Sequence, residues 1–379
     1  MNSERLKGGA PAPLKMIFAL LFVFILTACG GGGSSGGGGS DDGGEPTPIT
    51  GSGVKGPLAN AEVNAYAFDA TANDFQGELL DTGETNSAAA ISELSIPFGH
   101  SGAVILEVLA TDDTTDLTTG AAPVISRLLT VVDIANLANA KIYPSPLTTI
   151  AYRLAGRKGD STSAPYAGDG DGELSETEFL NGFIVAGRQT ASTLGFGLES
   201  DADLNTTPPM ITEDTNTPES QARAARYRTA IEAVTAVVDN IRKRANENNA
   251  DSTVNNDDML GGLADDLSDG AIDGQSDGAP IDAFVDVDDV IAEVTADPAT
   301  LVIPGTEKLV SDVESEMVRE KEDTGSDTDT SGLEDGSISA NARQARRTPD
   351  SDDDDLDDAV DNCPLHANPD QTDLDQDGV

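Results

Sequence analysis

The sequence predicts a multidomain chain: a small β-sandwich, then an α-helical segment, then an acidic region with almost no core residues. Three observations carry this. Ala61, Val63, Ala65 and Ala67 alternate with Glu62, Asn64, Tyr66 and Phe68, the period-two pattern of a half-buried strand. Ala224, Tyr227, Ile231, Val234, Val238 and Ile241 follow the 3-4-3-4-3 spacing of one helical face. Residues 350–379 carry 12 Asp and no Lys or Arg, so nothing there can form an ordinary core.

Composition narrows the function. The chain has 379 residues and a formal charge of −46, which excludes nucleic acid, because phosphate recognition needs clustered cations. Trp is absent, and two His and two Cys leave little material for a zinc site or a His-based active site. His100 and His366 have no triad context, and carboxylate pairs are too numerous for any one to stand out. A non-enzymatic protein is expected, with hard cations such as calcium as the natural partners of the acid excess.

Residues 1–28 read as a signal peptide. Arg5, Lys7 and Lys15 precede an apolar run of 11 residues, Met16 to Leu26, too short to span a bilayer. It ends in Leu26-Thr27-Ala28-Cys29, which resembles the lipobox of bacterial lipoproteins. The resemblance implies cleavage before Cys29, acylation of its thiol and a membrane anchor. Gly30 after the Cys favours the outer membrane by the same analogy. Residues 29–48 are a Gly- and Ser-rich tether, with ten Gly between 30 and 44, flexible enough to hold a domain off the surface.

Residues 49–143 carry the strand pattern, with Val104 to Val108 as a buried strand and Gly and Asp clusters as turns. Gly53-Val54-Lys55-Gly56-Pro57-Leu58 followed by Ala61-Glu62-Val63 resembles the opening strands of carboxypeptidase-regulatory-like, transthyretin-type sandwiches, which implies a structural or binding spacer. Residues 144–321 turn mainly helical. Ser145-Pro146 offers an N-cap and a first-turn Pro, with Gly156 as the expected stop. The 224–241 stripe is read as packing within its own domain rather than as a partner groove. Arg242-Lys243-Arg244 suits a helix end, and Leu309, Val310, Val313 and Met317 suggest a last helix. Residues 322–349, poor in large apolar side chains, read as a disordered linker.

Two candidate calcium loops follow from spacing. Asp350, Asp352 and Asp354 alternate, with Leu356 offering a carbonyl at position seven and Asp358 and Asp361 at positions nine and twelve of an EF-hand-like loop. Asp355 stands at the sharp turn, where Gly is usual. The weaker candidate aligns Asp169, Asp171 and Glu178 with positions three, five and twelve, but position one is Ala167. There Ser175 and Glu178 also fit a capping box. The Asp-Gly pairs at 269, 273 and 277 suit successive turns.

Asp361-Asn362-Cys363-Pro364, Asn368-Pro369-Asp370-Gln371, and then Asp373, Asp375, Asp377 and Gly378 resemble type 3 thrombospondin repeats. That resemblance implies a calcium-binding repeat region wrapped by Asp-rich loops. In that family the Cys pairs with one beyond the next loop, and the sequence stops at Val379 before it. Either the last repeat is incomplete or the sequence is a fragment. The expected protein is a lipid-anchored, calcium-binding surface protein of structural or adhesive role, with a surface protein or polysaccharide as partner. The alternative is a carbohydrate-binding accessory or enzyme subunit whose catalytic or peptidoglycan-binding domain lies beyond Val379.

Overall fold

A computed structural model describes residues 44–137 and 140–372. The signal peptide, Cys29 and most of the tether lie outside the described residues, as do Asp373, Asp375 and Asp377. From Gly44 onward the chain clusters as one compact unit.

The β-rich part is built on a five-stranded antiparallel sheet. Its strands are β1 (Glu62–Phe68), β2 (Gln76–Thr85), β3 (Ile91–Ser92), β4 (Ala103–Leu109) and β5 (Arg127–Asp133), in the order β5-β4-β1-β2-β3. β4 is buried along Ala103–Val108, which explains its unbroken apolar reading: both of its faces are covered. Val108 lies against Gly53 on one face, while Glu107 on the other accepts from Tyr66 and Arg127. Short two-stranded ladders surround this sheet, among them Leu58–Ala59 with Thr115–Asp116.

A second full sheet facing the first, as a sandwich requires, is not what packs against β5. Helix α1 (Pro146–Lys158) takes that place: the Thr149 hydroxyl accepts from the Leu129 N–H, and the Thr148 hydroxyl donates to the Leu129 carbonyl. α1 begins at the expected Ser145 cap, with a full capping box, but runs past Gly156 to a cap at Gly159. Gly156 serves packing instead. A Cβ there would sit 2.4 Å from the Phe75 ring, and Phe75 stacks on Phe68 and meets Tyr152 and Phe179 at tilted angles in one aromatic cluster. The sheet and the helices thus share a continuous core, so the boundary at 143/144 is a change of secondary structure.

Helix α2 (Glu176–Leu194) packs along α1, and the long helix α3 (Pro218–Asn248) forms the centre of the helical part. Every residue of the 224–241 stripe is fully buried, but so are Ala225, Ala230, Ala233 and Val237 between them. α3 is enclosed on most of its surface, which a single stripe did not foretell. Arg242 and Lys243 lie inside α3 and pair with Asp239; Arg244 pairs with Glu293. Helices α4 (Asn256–Leu267), α5 (Val290–Val294) and α6 (Val313–Asp323) complete this layer.

The disordered linker expected at 322–349 is instead packed, and includes a further short helix, α7 (Ser337–Ala340). Leu333 and Ala345 are buried. Polar contacts do the rest: the Gly332 N–H donates to Gln221 of α3, the Ser339 N–H and hydroxyl donate to Glu314 of α6, and the Arg346 N–H donates to the Thr193 carbonyl of α2. Composition alone predicts disorder when apolar burial is small; here backbone donors met by side chains compensate.

Candidate metal centre

The C-terminal segment docks on α2 before it forms its loop. The Arg343 N–H donates to the Phe196 carbonyl, and the Asp350 N–H donates to the Ser192 hydroxyl. Asp350 is 1% exposed. It accepts from the Asp354 and Asp355 N–H groups at 3.1 and 3.2 Å and pairs with Arg346 at 2.7 Å. Those two bonds bend the chain into a tight turn, and Asp353 and Asp355 adopt left-handed φ values of 59° and 73°. Asp tolerates that region better than most residues, so the position where Gly is usual is filled without leaving the required conformation.

The turn brings Asp350, Asp352 and Asp354 together, with carboxylate oxygens within 4.8 Å of one another. Asp361 adds a fourth acid close enough to act on Asp352. Their oxygens are not equally engaged. Asp354 accepts from the Leu356 and Asn368 N–H groups, and one Asp361 oxygen accepts from the Cys363 N–H and Gln371. Both Asp352 oxygens and the second Asp361 oxygen are buried, with no hydrogen-bond partner among the described residues. An orphaned buried carboxylate is costly. Burial, followed by the repulsion of Asp354, Asp361 and Asp350, pushes the Asp352 pKa up to about 6.

Other expected ligands are placed elsewhere. Asp358, read as position nine, is turned outward: it accepts from the Ser351 N–H and hydroxyl and from Gln189 of α2, all at 2.8–2.9 Å. Asp353, between two inward acids, accepts from the Ser200 N–H and hydroxyl. Sequence spacing had no way to reveal these docking roles, because Gln189 and Ser200 lie far upstream.

In the second candidate, Asp169 and Asp171 are joined by Asp160, a residue the loop spacing missed, again within 4.8 Å. Asp160 enters from beyond α1 and accepts from the Gly170 and Gly172 N–H groups. Glu178 does not join them. It accepts from the Ser175 and Asp169 N–H groups and closes the capping box of α2. These acids are largely exposed and bonded within the loop. In the third cluster, Gly270, Gly274 and Gly278 all take left-handed φ, as successive turns require.

Compared with protein-family models, with curated proteins and with solved structures, the chain matches none. No helix among the described residues is long and apolar enough to cross a membrane.

Proposed function

We propose that this is a lipid-anchored cell-surface protein that binds calcium at its C-terminal loop and has a structural or adhesive role. The observation that carries the reading is the Asp352 carboxylate, whose two buried oxygens have no hydrogen-bond partner among the described residues and face three further acids. A hard dication suits that donor set, since calcium takes six to eight oxygens and is satisfied by carboxylates and carbonyls. Asp350, Asp352, Asp354 and Asp361 would hold it, with the Leu356 carbonyl, and its charge would offset their repulsion. Asp358 acts one step out, fastening the loop to α2. The anchor rests on Leu26-Thr27-Ala28-Cys29.

Calorimetric titration of the full chain with calcium tests the site. Saturable binding with Kd on the order of 0.1–1 mM, the range of extracellular modules, is expected, and its absence at millimolar calcium refutes the reading. Cys29→Ser should abolish lipid labelling and release the protein from the membrane fraction; unchanged labelling would sink the anchor. A second reading, as a carbohydrate-binding accessory subunit, is favoured by a groove of about 760 Å³ between β5 and α2. Asn181, Arg188, Asp203 and Asn205 line it beside the apolar Leu180 and Ile184. A glycan array with a hit abolished by Asn181→Ala would favour this second reading.

A further inference from the structure

Far from the acidic loop, a second charged cluster is entirely enclosed. The Lys55 ammonium lies 3.1 Å from Asp116 Oδ2 and 3.1 Å from Glu232 Oε2, and all three side chains are 0–1% exposed. Yet Lys55 Nζ, Asp116 Oδ2 and Glu232 Oε2 make no hydrogen bond of acceptable angle among the described residues. They are in contact without being aligned as donor and acceptor. The remaining oxygens are held firmly: Asp116 Oδ1 accepts from the Thr118 N–H at 2.8 Å, and Glu232 Oε1 accepts from Arg228 at 3.0 Å. Gly56 leaves room for the Asp116 carboxylate, since a Cβ there would strike it at 1.9 Å. The Leu58–Asp116 pairing of the short ladder fixes the register between the two segments.

We propose that Lys55 and Asp116 form an intramolecular amide bond between Nζ and Cγ, with Glu232 relaying the proton. The starting pair is ionic. Burial works to lower the Lys55 pKa, but Asp116 and Glu232 outweigh it; burial works to raise that of Asp116, but Lys55 and Arg228 outweigh it. The step therefore begins with transfer of an ammonium proton to Glu232 Oε2. Glu232 hands that proton on to Asp116 Oδ2 as the neutral amine adds to Cγ of the now uncharged carboxyl group, while the Thr118 N–H stabilises the charge that develops on Oδ1. Collapse breaks the Cγ–Oδ2 bond, and Oδ2 leaves as water, carrying two of the three ammonium protons, one of them returned by Glu232. Ammonium plus carboxylate thus gives one amide and one water, with no oxidant or co-reactant. A site closed to solvent favours this direction, because bulk water is kept from the product, and fixed juxtaposition supplies the effective concentration.

The test is a digest of the denatured full-length protein. Lys55 is the only tryptic site between residues 16 and 126. The linked chain should resist trypsin there. Added Glu-specific protease should release a branched peptide joining the segment that ends at Glu62 to residues 108–127, lighter by one water than the two peptides together. Glu232→Gln should leave the link unformed and restore cleavage at Lys55; a link that persists in this variant overturns the relay assigned to Glu232. The wild-type digest needs no variant to fold. Complete cleavage after Lys55, with both peptides at full mass, means an ion pair only and overturns the proposal.

Discussion

Replacing Asp352 by Asn, which keeps the shape and removes the charge, should raise stability in the absence of calcium and shrink the further gain that calcium brings. Carboxylate oxygens of Asp350, Asp352 and Asp354 lie within 4.8 Å of one another. At that separation a like-charged pair costs between about 1 kcal/mol in water and about 3 kcal/mol at an effective dielectric constant near 20. The Asn amide also supplies N–H donors beside the Asp361 oxygen that has none among the described residues. In chelator, therefore, Asp352→Asn should be the more stable protein, by about 1–3 kcal/mol. With a Kd of about 0.3 mM, calcium at about 10 mM stabilises the wild-type chain by about 2 kcal/mol. A variant binding about tenfold more weakly keeps under about 1 kcal/mol of that gain. Thermal unfolding of both proteins, in chelator and in calcium, measures all four values. Equal calcium gains for the two proteins would refute the assignment of Asp352 as a ligand, whatever the loop does otherwise.

Three further outcomes follow from packing and charge. Gly156→Ala drives a methyl to 2.4 Å from the Phe75 ring and should lower stability by about 1–3 kcal/mol, read from denaturant midpoints; a stabilising effect would contradict the packing described. Arg228→Met strips the buried Glu320 of its guanidinium partner and leaves Glu232 with Lys55 alone; it should cost about 3–5 kcal/mol, part of which Glu320→Leu in the same chain should return. Asp266 is raised to about 6, mainly by burial at the end of α4. Its folded value exceeds its unfolded one, so its contribution is complete below about pH 4 and lost as pH rises through about 6. Asp266→Asn should remove that slope, gaining on the order of 2 kcal/mol on wild type between pH 4 and pH 7.

Local rules read the helices well because their signals are short-range. The caps at Ser145 and Ser175 and the apolar spacing of α3 are written within one or two turns of chain. The misreadings all involve partners distant in sequence. Gly156 is a plausible helix stop until Phe75 is seen to occupy the space beside it. Asp160 escapes a loop template that begins at Ala167, because it comes from the end of the preceding helix. Lys55 is read only as part of the Gly53–Leu58 opening-strand resemblance; only the fold brings Asp116 and Glu232 to it.

The acidic tail shows the same limit most clearly. Alternate spacing predicts that Asp350, Asp352 and Asp354 converge, and they do. Composition leaves the segment without an ordinary core, yet Asp350, Ser351, Asp354 and Asp358 are all buried. The difference lies in counting carboxylates only as charges. Each is also an acceptor of several hydrogen bonds, and Asp353 and Asp358 use that capacity on Ser200 and Gln189. The loop therefore divides its carboxylate oxygens: those of Asp352 and one of Asp361 are left without donors among the described residues, while Asp353 and Asp358 are engaged by donors. An inward carboxylate left without donors is stabilised only by a cation, and an outward one anchors the loop whether or not the cation is present. Calcium at this loop should thus tighten a segment already docked on α2. The expected signature is slowed amide exchange at residues 350–361, with the Asp353–Ser200 and Asp358–Gln189 contacts protected in both states.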